Sequence, residues 1–330
     1  MGGTGLAGPR PFSPRSRAMR LTEPGRPPGL ALRASGFFYR RPVARLLLLL
    51  LPGVLWLLVI YIASLGSMLA YSFWRLEEFT GLVVREFTLR TYAQLLEPAN
   101  RDIIVRTAAM ATAVSVACAI LAFPLAYYMA RYASPRMKTA LYLVIIMPLW
   151  SSYLVRALAW RQILANEGIL NWTLERLGLD PVVRALVGAP LVGGPSIVQS
   201  YIGLFIAFVY LWLPFMILPV QAALERVPPS YLEASGDLGA PPWLTFRRIV
   251  LPLAKPGLIA GSVFTFSLTL GDFILPQMFG TSAFFIGQQV FVQQGVIGNL
   301  PLAAAFTLVP MVIMFAYLLL ARRTGAFEAL

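Results

Sequence analysis

The sequence predicts an all-α, polytopic integral membrane protein with six transmembrane helices, and three observations carry that prediction. Hydrophobic residues make up 58% of the 330 and charged residues only 12%, against about 25% charged in ordinary globular chains. Six stretches reach or approach the roughly 20 apolar residues that a helix needs to cross a hydrocarbon layer about 30 Å thick. The basic residues behind the formal charge of +13 sit between those stretches and form no helical face with interleaved aromatics. That distribution suits topology signals and argues against a nucleic-acid partner.

Residues 1–45 hold nine arginines among Pro, Gly and Ser and are expected to form a largely disordered tail. The first span, 46–73, exceeds 20 apolar residues, whereas the hydrophobic region of a secretory signal has about 7 to 15, so it is read as a retained helix. The other spans are expected at 107–130, 139–160, 201–224, 256–276 and 303–321. The transmembrane domain then runs over 46–322 with a short tail at 323–330. Alternate connections, tails included, carry 18 basic residues on one side and 9 on the other. By the excess of Lys and Arg on cytoplasmic loops, both termini are expected inside the cell.

The same rule puts the connection at 225–255 inside, and this is the connection with the most local structure. Pro228-Pro229 stops what precedes it, and Ser230 with Glu233 three residues later has the spacing of a capping box. Tyr231 to Leu238 reads as a short helix, with Gly239 where a left-handed cap is needed. Pro241-Pro242 suits a second helix start, and Trp243, Phe246, Ile249 and Val250 fall on one face. Two apolar faces of this size cannot bury each other, so the loop needs the bundle and a cytoplasmic partner to cover them. An amphipathic loop resting on lipid headgroups is the simpler alternative.

Histidine is absent and Cys118 is the single cysteine, which excludes His/Cys metal clusters, Ser-His-Asp and Cys-His nucleophile systems and an intrachain disulfide. No metal site and no catalytic residue is predicted. Cys118 reads as a small buried hydrophobe. The two lysines, Lys138 and Lys255, are not preceded by glycine, so the chain lacks the Gly-Lys-Ser/Thr element that cradles nucleotide phosphates. Any ATP used in its work is hydrolysed elsewhere.

Glu233-Ala234-Ser235, three residues, Gly239, nine residues, then Ile249-Val250-Leu251-Pro252 resembles the EAA motif of permease subunits of binding-protein-dependent ABC importers. Ser235 stands where that motif has a second alanine, and Gly236 lies inside the short helix. Pro148 to Arg156 with Ala159-Trp160, Leu213 to Pro219, and Gly271-Asp272-Phe273 are similar to the spermidine/putrescine-type branch. The similarity runs from about Phe73 to the last helix and leaves the basic tail uncovered.

The resemblance implies the MetI-like fold of type I importers and a bacterial inner-membrane location. It implies a half-pore that pairs with a second, homologous permease subunit, two cytoplasmic ATPase subunits and an extracytoplasmic substrate-binding protein. No cofactor is implied for this chain, ATP being used by the partner. Glu233, Ala234, Ser235, Gly239, Ile249, Leu251 and Pro252 would then belong to the helix that seats in the ATPase. A polyamine such as spermidine or putrescine is the implied cargo; related permeases carry iron, phosphonate or amino-acid-derived compounds. A stand-alone carrier would need several intramembrane acids, and a membrane enzyme a catalytic constellation that the residues do not offer.

For the path, an acid inside a span is a functional candidate because its burial costs at least a few kcal/mol. Asp272 lies about 16 residues, or roughly 24 Å, along the fifth span from Pro256. Trp150 and Tyr210 come to a similar depth, and a carboxylate with ring faces suits an organic ammonium in transit. The alternatives are an interfacial aromatic belt for the rings and a helix-end hydrogen bond for Asp272. Pro214 and Pro219 read as hinges or packing kinks, and Gly257 with Gly261 as a close helix approach.

Overall fold

The computed structural model describes residues 2, 42–77, 79–190, 192–279 and 284–323. The chain divides into two units, 1–64 and 65–330. Most of the predicted tails, 1–45 and 323–330, lies outside the described residues.

The helix α1, Pro42–Ser72, starts a few residues before the predicted span, and its apolar side chains from Leu49 to Ile62 are exposed. A two-stranded antiparallel hairpin, β1 Arg75–Leu76 and β2 Val83–Val84, and the short α2, Arg90–Leu95, lead to α3, Pro98–Arg131. Then follow α4, Pro135–Trp150, α5, Tyr153–Ile163, α6, Ile169–Arg176, α7, Asp180–Val187, and α8, Tyr201–Glu225. Local chemistry sets these boundaries. Pro98 and Pro135 occupy first-turn positions where a missing N–H costs nothing. Ser134 and Ser200 accept from the amides of Met137 and Gly203 at 3.3 and 3.1 Å, satisfying donors that a helix start leaves orphaned.

The loop between the fourth and fifth spans contains α9, Pro229–Asp237, and α10, Pro242–Thr245. A π turn at Phe246–Val250 joins α10 to α11, Leu251–Gly271. The predicted second short helix is therefore the start of one rod from Pro242 to Gly271. Pro252 has no N–H and its ring crowds the carbonyl four residues back; the wider turn just before it relieves that conflict. The chain closes with α12, Ile274–Phe279, α13, Ile286–Val292, a π turn at Gln293–Ile297, and α14, Leu300–Arg323.

Among the described residues five helices are long and apolar enough to cross a membrane, or six if the bent pair of α4 and α5 counts as one. That pair corrects the expectation of a straight span over 139–160. Its halves meet at 99°, because Ser151 and Ser152 are extended, with ψ of 151° and 139°. The Ser151 hydroxyl donates to the carbonyl of Pro148 at 2.7 Å, a local hydrogen bond that competes with continuing the helix. The fifth span also stops early, at Gly271 rather than Pro276.

The core is the packing of α8 against α3 and α11. Helix α8 buries Leu204, Ala207, Phe208, Leu211, Met216, Val220 and Leu224, and α3 meets it with Val114, Cys118, Ala122 and Ala126. Cys118 is buried as predicted, its thiol 3.7 Å from the carbonyl of Val209. In lipid there is no hydrophobic gain from joining two apolar helices, so close contact must hold them. Gly257 and Gly261 of α11 supply it: a methyl at Gly257 would lie 2.5 Å from both the Pro219 carbonyl and the Ala223 methyl, and one at Gly261 2.6 Å from the Met216 sulfur. Both Pro214 and Pro219 sit within an unbroken α8.

Candidate functional site

Two constellations stand out, the loop between α8 and α11 and the meeting of two helix breaks at the other end of those helices. In the loop, Gly239 has φ of +73°. Its amide donates to Gly236 O at 2.8 Å, and the amide of Ala240 to Ser235 O at 3.0 Å. This pair of hydrogen bonds to the last turn is the Schellman arrangement, and it needs a left-handed residue where glycine carries no penalty. A Cβ at Gly239 would meet nothing within 4 Å, so the constraint is backbone conformation and not space. The predicted capping box is not formed: α9 begins at Pro229, with Pro228 as its cap and no side-chain cap bond. Proline at the first helical position moves the start one residue ahead of Ser230, which leaves that serine inside the first turn.

Ser235, the departure from the motif, is buried and its hydroxyl pairs with that of Thr245 at 2.7 Å. The corner between α9 and α10 is thereby tied by a bond that alanine cannot make. Glu233 and Ala234 are exposed and Ile249 half-buried, while Leu251 and Pro252 are exposed. Tyr231, Leu238 and Trp243 are exposed at 52%, 87% and 66%. Three large side chains with apolar surface are thus left exposed at this corner.

At the far end of α11, Asp272 is extended and caps α12: Oδ1 accepts from the amides of Ile274 and Leu275 at 2.8 and 3.2 Å. Its Oδ2 accepts from the hydroxyl of Tyr153, the first residue of α5. The break in the third span and the break after the fifth are thus bonded to each other. The Tyr153 ring stacks on Trp212 at 5.7 Å and 9°, and the buried Trp212 Nε1 has no hydrogen-bond partner among the described residues. Gly287 of α13 lies against the Asp272 carbonyl, 2.7 Å from where its Cβ would be. The helix-end role predicted as the alternative for Asp272 is therefore present.

Trp150 and Tyr210 do not join this cluster through its hydrogen bonds or ring stack. Trp150 is 78% exposed, and the Tyr210 ring packs on Trp160 at 4.9 Å. Sequence reasoning missed Tyr153, which meets Asp272, and Trp212, which stacks on Tyr153. The signal available was the Ser151-Ser152 pair: two helix-poor residues after Pro148 mark a break, and Tyr153 is the first residue past it.

Membrane-length helices packed around α8, two of them interrupted and bonded at their interruptions, with a structured loop before the fifth span, define a polytopic membrane protein. Residues 122–325 match the family model of the binding-protein-dependent transport system inner membrane component. An inner membrane ABC transporter permease protein of Escherichia coli K12, YdcU, is 52% identical over 313 residues, covering 95% of this chain and all of that protein. That alignment is longer than the stretch from Phe73 to Leu330, so the likeness to this relative reaches into the amino-terminal region, beyond the extent expected for the spermidine/putrescine-type branch. The spermidine/putrescine permease protein PotB of E. coli K12 is 32% identical over 235 residues, covering 71% of this chain and 81% of that one. A bacterial alginate ABC transporter, solved with its pentasaccharide-bound periplasmic protein, superimposes with a TM-score of 0.66 at 18% identity, covering 90% of this chain and 98% of that chain.

The chain belongs to the binding-protein-dependent transport system inner membrane component family. It is a multi-pass, non-catalytic permease subunit of an ABC importer, with ATP hydrolysis residing in a separate subunit.

Proposed function

We propose that this permease subunit pairs with a second, homologous permease and with two ATPase subunits, and passes a polyamine or similar small organic cation delivered by an external binding protein. The observation that carries the coupling role is the corner at Gly239, which holds Tyr231, Leu238 and Trp243 outward around the Glu233-Ala234-Ser235 turn. The cargo class is supported by the 32% identity to a permease named for spermidine and putrescine. Asp272, bonded to Tyr153 on which Trp212 stacks, is the candidate point of contact for an ammonium group; Trp150 and Tyr210 remain as further candidates along the path.

The corner is tested at Gly239. A β-branched residue is a strained occupant of left-handed backbone, at a cost of roughly 1–2 kcal/mol. Gly239→Val is expected to reach the membrane in normal amounts, to lose ATPase co-purification and to lose labelled putrescine uptake by the reconstituted complex. Gly239→Asn, which tolerates that conformation, should lose much less. Full ATPase association by the valine variant at equal abundance would overturn the coupling role.

Orientation has its own check. With Cys118→Ala as background, Phe79→Cys and Ser230→Cys replace exposed residues at opposite ends of the bundle. An impermeant thiol reagent on intact cells should label position 79 and spare position 230. The reverse pattern would place the loop outside and end the ATPase reading with it.

A further inference from the structure

Three basic residues, Arg131, Arg136 and Lys138, mark the short connection between α3 and α4, and as topology signals they need no partners. Two of them nevertheless reach the root of the coupling loop. Arg131 Nη2 donates to the carbonyls of Leu224 and Val227 at 3.0 and 2.8 Å, at the carboxyl end of α8 where orphan carbonyls and the helix dipole favour a cation. Lys138 Nζ lies 2.8 Å from Glu225 Oε1, and the same oxygen accepts from Gln221 Nε2 at 2.9 Å.

The other root of the loop is held from the same helix by rings. Trp243 stacks on Phe246 at 5.6 Å, Phe246 meets Phe123 of α3 edge-on at 5.5 Å, and Phe123 stacks on Tyr127 at 6.4 Å. One end of α3 thus grips the chain where it enters the loop and where it leaves. Helix α4 buries only Ile145 fully. Leu141 and Tyr142 pack on the core beside it, the Tyr142 hydroxyl donates to Glu225 Oε1 at 3.4 Å, and the ends are held by Lys138 at one and the Tyr153–Asp272 bond just past the other.

We propose that the loop-side end of α3, with Lys138 of α4, is a positioning clasp that carries displacement of the coupling loop to the Ser151–Ser152 break. On this geometry α11 is not the sole rod leaving the loop, and both interrupted spans receive the same push. The inference rests on the ATPase-coupling reading above.

The test uses the ATPase-bound complex with Cys118→Ala and Ser152→Cys, and reads the thiol-labelling rate with and without a non-hydrolysable ATP analogue. The parent is expected to change rate about twofold to thirtyfold, the range set by couplings of about 0.5–2 kcal/mol. Lys138→Glu should remove most of that response while ATPase co-purification persists. Lys138→Glu with Glu225→Lys should restore it, which ties the response to this ion pair, and parental membrane abundance of the single variant separates the effect from a loss of stability. A normal response in the single variant, a double variant as unresponsive as the single, or a parent that binds ATPase without responding would each overturn the clasp. If the single variant is not recovered from membranes, restoration in the double variant supports the clasp and its absence overturns it. A parent that does not co-purify with the ATPase would instead sink the coupling reading, and the clasp with it.

Discussion

Gly257→Val is expected to deplete the chain from the membrane and to lower the unfolding midpoint of whatever complex is recovered. The first carbon of any side chain at Gly257 would stand 2.5 Å from the carbonyl oxygen of Pro219 and 2.5 Å from the Ala223 methyl, with the Pro219 carbonyl carbon at 3.1 Å. Backbone atoms of a helix cannot turn aside as a side-chain tip does, so α8 and α11 must separate. Even Gly257→Ala should cost about 1–3 kcal/mol through overpacking, and valine adds two more methyls to the same seam. Gly261→Ala should be milder, because the nearest obstacle there is the sulfur of Met216, a flexible side chain. Gly236→Ala is the matched control: nothing lies within 4 Å of its Cβ, and alanine inside α9 should gain up to about 1 kcal/mol of helix propensity. Abundance by immunoblot and a thermal midpoint of the purified complex rank all four. A valine variant with the parent's abundance and midpoint would show that the seam yields and that the close approach is unimportant.

Asp272 separates structure from transport when two substitutions are compared. Asp272→Ala removes the acceptor for the amides of Ile274 and Leu275 and the partner of the Tyr153 hydroxyl. Loss of a cap costs about 0.5–2 kcal/mol, and a buried hydroxyl left unpaired about 1–3 kcal/mol more. The two breaks would come apart, and abundance and assembly should fall. Asp272→Asn keeps an oxygen for the two amides and can donate to the tyrosine oxygen, so it should assemble as the parent does while losing the charge. If the carboxylate meets an ammonium in transit, the asparagine variant should slow labelled putrescine uptake severalfold at unchanged basal ATP hydrolysis. Uptake equal to the parent's would leave Asp272 as a helix cap alone.

These two positions show what kind of feature a linear reading reaches. Gly257 and Gly261 announced a close approach by their spacing of four, and the seam is there. Gly239 announced a left-handed corner because the prolines on either side left room for one, and its φ is positive. The capping box at Ser230 and Glu233 failed for a local reason: Pro229 starts the helix one residue earlier. Asp272 was visible as an unusual acid in an apolar stretch, but its partner Tyr153 and the Trp212 ring stacked on that partner were not. They lie 119 and 60 residues away, and only the bend at Ser151 brings the first of them to the carboxylate.

Composition and apolar run length were sufficient for the class of protein and for five membrane-length helices, because a bilayer imposes length and polarity on each segment separately. The spaced residues from Glu233 to Pro252 were sufficient for the family, since the turn they encode is local. Which helices are interrupted, which breaks are bonded, and which basic residues clasp the loop were decided by packing. Each depends on atoms far apart in the chain meeting within 3 Å or so, and no pattern along one segment specifies what the opposing segment presents.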